Sequence, residues 1–341
     1  MLLFLRSTVR PIGLAAWLVC AAPLTAQAPD LFEPVRLSMP VFDTEAQVEV
    51  RGLPRAQATT AARAALLEIH EMSQLLDPSI DTAGGFGRLQ RAAGGDAVVL
   101  DARTADFLFR ALRFCLWSSG ASGPLGGELY TMWRNHREHG VALEPLELRT
   151  AVDRANCEAL TLDPGTTVTA SLAAEHRLSG LGMDRGFAID RALSVLREHG
   201  VGNAFVEIGL VVRAMGGGPE GRGWRVAVPG VPGTEHPIDE VWLRDSALAI
   251  LRPDDSSRPQ LPLDQRRGVP SRGVVQVAVV SRLAVETEVI AATLYSVGLT
   301  HGNRLLGGLD PRPSVFWLLG NNVGRPLEST YRWSELPRPG R

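Results

Sequence analysis

Apolar residues recur along this chain at two spacings. AQVEVRG, residues 46–52, alternates apolar and polar positions and predicts a half-buried strand. TTAARAALLEIHEMSQLL follows, with Ala62, Leu66, Ile69, Met72 and Leu76 at helical intervals. The same spacing predicts helices over residues 105–117, 184–199 and 287–299. WRVAVP, EVWLRDSALAIL, GVVQVAVVS and SVFWLLGN read as strands, while DPSIDTAGGFG, RAAGGD and SSGASGPLGG carry the residues of turns and loops. FVEIGLVVRA, residues 205–214, is two apolar runs meeting at Gly209. Their continuity suits strands interior to a sheet, and a glycine inside a strand pattern marks a bulge or a close backbone approach. Strands and helices mix without strict alternation, so the expected class is α+β. With no internal repeat and no long linker, residues 29–330 form one domain. A Pro- and Arg-rich tail, read as loose, covers 331–341.

Composition changes this picture in three places. All 35 basic residues are arginine, which excludes Schiff-base chemistry and a phosphate-loop lysine. The formal charge of −2 gives no footprint for nucleic acid. The first 28 residues have the three parts of an export signal: Arg6 and Arg10, the apolar stretch IGLAAWLVCAAPL, and the small-x-small site Ala26-Gln27-Ala28. The apolar stretch is short for a membrane span, so none is expected in the mature chain. Cleavage there removes two positive charges and leaves a net −4, outside the inner membrane and in the periplasm. Cys115 and Cys157 remain. One disulfide between them and a buried free thiol at Cys115 are both open.

The seven histidines form no metal-binding motif, and no Gly-x-Ser-x-Gly elbow occurs. The order of segments is more informative. LSGLGMDRGFAIDRAL, FVEIGLVVRA, LPLDQRRGVP and ETEVIAATLYSVG follow one another as in the bacterial ApbE-type FAD:protein FMN transferases, and the chain resembles that family over residues 42–321. RGFAIDRA resembles the family's K-G-Y-A-V-D-R-A most closely. The resemblance implies a flavin-transferase fold and an extracytoplasmic, magnesium-dependent enzyme. Such an enzyme splits the FAD pyrophosphate and joins FMN to a threonine or serine of an exported or membrane-anchored acceptor protein.

Carried over residue by residue, the family pattern is only partly present. Family M-G-T falls on Phe42-Asp43-Thr44, and G-A-F-D-P-T on residues 120–125, where the aromatic, the acid and the hydroxyl are lost. D-L-G-G-I-A-K-G falls on residues 179–186, with Ser179 for the acid and Arg185 for the lysine. N-I-G-G-D becomes Glu207-Ile208-Gly209-Leu210-Val211, A-T-S-G becomes residues 249–252, and the histidine of H-I-I-D-P-R-T-G becomes Leu261. The resemblance thus implies Thr44, Arg185, Gly186 and Gly209 beside the cofactor, with Asp264 as the retained acid for proton transfer. Magnesium would take the Gly182 carbonyl and the Glu288 carboxylate, and the second side-chain ligand position is Ala292. Glu288 reads more readily as an exposed helix acid than as a ligand, and Thr293 should face about 140° away from it around the helix. Two functions stay open: a transferase with weak or lost activity, or a non-catalytic exported protein binding a flavin, a nucleotide or a partner on the same scaffold.

Overall fold

The computed structural model describes residues 32–230, 236–253, 262–320 and 326–338. The export signal and Leu261 lie outside the described residues. The N-terminal alternation folds as an antiparallel hairpin, β1 (Val35–Val41) and β2 (Thr44–Arg51). It turns at Phe42 and Asp43, both at positive φ (53° and 57°), as the tight two-residue turn of a right-twisted hairpin requires. α1 (Arg55–Leu75) buries the predicted stripe of Ala62, Leu66, Ile69 and Met72. There follow α2 (Phe86–Arg91), β3 (Val98–Val99), α3 (Ala102–Trp117), α4 (Gly127–His139), α5 (Pro145–Asp153), β4 (Leu160–Pro164) and β5 (Val168–Leu172). The second half contains α6 (Asp184–Glu198), β6 (Asn203–Ile208), β7 (Val211–Met215), β8 (Trp224–Val228), β9 (Asp239–Leu243) and β10 (Ala247–Leu251). β11 (Val274–Ser281), α7 (Ala284–Leu306), β12 (Ser314–Leu319) and β13 (Leu327–Tyr331) complete the chain. The class is α+β.

Eight strands form one antiparallel sheet in the order β1-β2-β6-β7-β10-β11-β12-β13. One face, with Val48, Val206, Ala249, Val277 and Trp317, packs under α1, α6 and α7. The opposite face, with Val212, Leu248, Ile250 and Phe316, lies under the β8–β9 hairpin and Trp333. The central strands are therefore buried on both sides. That explains why ALAIL reads as an unbroken apolar run, and VVRAM as one interrupted only by Arg213, rather than as alternating strands.

Two local expectations change, and one open alternative is decided. EVWLRDSALAIL is two strands in different sheets, β9 and β10, because residues 244–246 turn the chain between them. β6 does lie inside the sheet beside α6, but Gly209 and Leu210 are the two-residue turn joining β6 to β7. Gly209, at φ +61°, is a glycine because the first central position of that hairpin is left-handed. Cys115, at the end of α3, is joined to Cys157 in a disulfide rather than left as a free thiol. Beyond residue 330, Trp333 is 3% exposed and its indole N–H donates to Asp239, so residues 331–338 lie against the sheet.

Candidate functional site

α6 and α7 cross near their N-termini, and each supplies a carboxylate to the other's first turn. Glu288 of α7 accepts from the Gly186 amide of α6 at 2.7 Å. Asp190 of α6 accepts from the Ala284 and Val285 amides at 2.9 and 3.1 Å and from Arg213 at 2.5 Å. The first amides of a helix have no intrahelical acceptor, and the helix dipole favours negative charge there, so both carboxylates sit where the backbone calls for them. Glu288 is 0% exposed, which sets aside its reading as a surface acid. Burial pushes the Asp190 carboxyl above its ordinary range, against the lowering by Arg213 and the two amides. A Cβ at Gly186 would stand 2.4 Å from the Ala284 carbonyl oxygen, so close helix crossing accounts for that glycine. Arg185, also buried, donates to the Phe42 carbonyl at 3.0 Å and ties the β1–β2 turn, with half-buried Thr44 after it, to α6.

Behind this crossing lies a cavity of about 10 Å³, walled by residues 122–124, 179–183, 262 and 265 together with α3, α4 and α7. Of the candidate catalytic, cofactor and metal positions carried over from the family, only Gly182 and Ala292 line it, beside Ser179 and residues 122–124 of the other quoted motifs. Gly182 is left-handed at φ +90°, and a Cβ built on it would stand 3.1 Å from the Ala292 methyl. Ser179 holds its loop by accepting from the Leu181 amide at 3.2 Å, while its own amide donates to the Pro124 carbonyl at 2.8 Å. Thr293 turns away from Glu288 as its helical position requires, donating to the Val289 carbonyl at 2.8 Å with its oxygen 2.9 Å from the Ser122 hydroxyl.

Asp264 is buried, but it does not face the cavity. Its carboxylate is gripped by Arg266, with Nε at 2.9 Å and Nη2 at 2.8 Å. This hydrogen bond holds the Arg266 guanidinium above its ordinary pKa. His301 stands 3.3 Å from the same guanidinium. Between Asp264 and Arg266, Gln265 points the other way. It is 2% exposed and its Nε2 donates to the Gly123 carbonyl at 3.0 Å, while its Oε1 has no hydrogen-bond partner. Gly126 makes room for it, since a Cβ there would lie 2.5 Å from Gln265 Nε2. The disulfide supports this wall from behind: a Cβ on Gly123 would stand 2.5 Å from Cys157 Sγ.

Sequence reasoning missed Gln265, Ser122 and Asp190 as site builders. Gln265 and Asp190 lie inside the quoted motifs LPLDQRRGVP and RGFAIDRAL, but nothing local says which side chain turns inward. The resemblance also implies a magnesium ion, which wants near-octahedral oxygen ligands. Glu288 spends one oxygen on the Gly186 amide, Ala292 offers a methyl, and among the described residues no three His, Cys, Asp or Glu side chains converge to hold a metal. These donors do not fit a dedicated magnesium site.

An antiparallel sheet covered on one face by α1, α6 and α7, with loops meeting over the α6–α7 crossing, is the fold of the flavin transferases. The flavin transferase ApbE from Vibrio cholerae superposes with a TM-score of 0.71 at 22% identity, covering 88% of this chain and 96% of that one. The ApbE protein from Thermotoga maritima gives 0.77 at 18% identity, covering 90% and 100%. A model of the ApbE family matches residues 42–316, and the chain belongs to that family. A FAD:protein FMN transferase from Rhodobacter capsulatus is 28% identical over 309 residues, 84% of this chain and 56% of that protein. One from Treponema pallidum is 25% identical over 168 residues, 48% and 46%. The chain thus spans about half the length of these two relatives.

Proposed function

We propose that this chain is an exported member of the FAD:protein FMN transferase family in which transfer is weak or lost. Transfer requires an acceptor hydroxyl to bond to the FMN phosphorus as the anhydride bond to AMP breaks. The hydroxyl proton must go to a base, and the phosphate charge must be met by positioned cations. Asp264, the retained acid, has its carboxylate closed in a chelate with Arg266, and Val211, at the family's aspartate position, is buried in the sheet. The observation that carries the reading is Glu288, whose carboxylate serves as a helix cap instead of facing the cavity.

Export is supported by the leader sequence and by the Cys115–Cys157 pairing, since disulfides persist in oxidising compartments. FAD is the donor this reading implies, magnesium its weakest element, and an exported or membrane-anchored protein the acceptor. The test is incubation of the mature chain with FAD, Mg²⁺ and a threonine-motif acceptor, followed by in-gel flavin fluorescence. Little or no labelling is expected. Strong labelling that disappears in Glu288→Ala would overturn the reading and return Glu288 to the metal. The second reading, a scaffold that binds a flavin without transferring it, is favoured by Gln265, which lines the cavity and has a buried carboxamide oxygen with no hydrogen-bond partner.

A further inference from the structure

On the sheet face away from the helices, the β8–β9 hairpin covers the middle strands and leaves much of β1 and β2 open. In β2 and β6 the residues Ala46, Val48, Ala204 and Val206 are buried toward the helices. Strand alternation therefore puts Gln47, Glu49, Phe205 and Glu207 on the open face. The register sets Arg36 opposite Glu49 and Glu49 opposite Phe205 in one row, with Gln47 opposite Glu207 in the next. These five side chains, with Val48 between the rows, line a recess of about 140 Å³. One water needs about 10–15 Å³ of such space, so the recess admits a group of several heavy atoms.

Glu49 is fully engaged, its two oxygens accepting from Arg36 Nε and Arg51 Nε, each at 2.6 Å. Gln47 donates its Nε2–H to Glu45 at 3.3 Å, which leaves its amide oxygen open. Glu207 is different: among the described residues no donor reaches its half-buried carboxylate. Burial raises its carboxyl above the ordinary range, and Glu45 raises it further. Ionised at neutral pH, it costs the folded state stability. An acid held in a recess at such a cost is a candidate binding group. The ring of Phe205 beside it is fixed by stacking on Trp224, with 5.3 Å between centroids.

We propose that this recess binds a guanidinium group, held by the Glu207 carboxylate and the Gln47 amide oxygen against Phe205. A guanidinium is planar and weakly hydrated, forks onto a carboxylate and stacks on aromatic rings. A metal ion is a poor match, since an aromatic ring offers it no ligand and no three metal-binding side chains converge among the described residues. The group comes either from an arginine of a partner protein or from a free small guanidine. The inference stands apart from flavin binding and from transfer, which concern the other face of the sheet.

The experiment is an amide NMR titration of the isotope-labelled mature chain at neutral pH. The probes are a capped Gly-Arg-Gly peptide, the same peptide with citrulline for arginine, methylguanidinium and methylammonium. The arginine peptide should shift the amides of residues 46–49 and 205–208, and the uncharged citrulline peptide should not. Glu207→Gln keeps the shape and removes the charge. It should weaken binding about tenfold, the worth of a hydrogen bond to a charged group. Methylguanidinium binding as well as the peptide identifies a free guanidine as sufficient; tighter binding of the peptide identifies a protein segment. Methylammonium binding as tightly as methylguanidinium would overturn the guanidinium assignment. Equal binding of the citrulline peptide, or equal affinity in folded Glu207→Gln, would overturn the site. So would the absence of shifts in β2 and β6 of the native chain with every guanidinium probe, a result that needs no variant to fold and would leave the recess to water or to Arg36.

Discussion

Glu288→Ala separates a helix cap from a metal ligand, because the two roles predict different measurements. Glu288 Oε2 accepts from the Gly186 amide at 2.7 Å, in the first turn of α6, and the residue is fully buried. Alanine leaves that amide without its acceptor. Loss of a hydrogen bond to a charged group costs about 1.5–3 kcal/mol, and a carboxylate at a helix N-terminus contributes up to about 2 kcal/mol more in a partly buried setting. The two overlap, so a destabilisation of about 2–4 kcal/mol is expected. At about 2.1 cal/mol/K per residue, a domain of roughly 300 residues has an unfolding entropy of about 0.6 kcal/mol/K at its midpoint. The melting temperature should therefore fall by about 3–6 °C. Glu288→Gln keeps an acceptor without the charge and should lose about half as much. The assay is thermal unfolding followed by far-ultraviolet circular dichroism, with Mg²⁺ and with EDTA. The fall should be the same in both. A variant that melts within about 1 °C of the native chain, yet loses a Mg²⁺-dependent rise in melting temperature, would refute the cap and identify a ligand.

Replacing both Cys115 and Cys157 by serine opens a link between residues 42 apart, worth about 4 kcal/mol by loop entropy. The melting temperature should drop by about 6 °C, and a reductant should lower that of the native chain but not of the variant. Glu207, on β6, has its carboxyl pushed above the ordinary range by burial and then by Glu45. The folded state therefore holds this proton more tightly than the unfolded chain does. Stability is fullest below the unfolded pKa and declines as pH rises through the folded one. Glu207→Gln should melt above the native chain at neutral pH and match it below about pH 4; a constant difference across that range would contradict the assignment.

The elements with a clear period were legible from sequence, because periodicity is a local property that burial on one face imposes. α1 and α6 lie where apolar spacing predicted them, and β6 is interior as its largely apolar sequence predicted. The motif order was enough to identify the family. What sequence could not decide was direction and partnership. Gly209 looked like a close-approach glycine, but it is a turn residue, because a positive φ and a short backbone distance both select glycine. Cys115 looked apolar and helical; only the packing of α3 against the loop after α5 brings Cys157 to it. Glu288 and Gly186 are 102 positions apart, and the crossing of two helices makes one the cap of the other. Within DQRR, three neighbouring side chains take different roles: Asp264 and Arg266 close on each other, while Gln265 lines the cavity. Local sequence sets which groups are present. Which of them face one another depends on backbone geometry and on the packing of segments far apart in the chain.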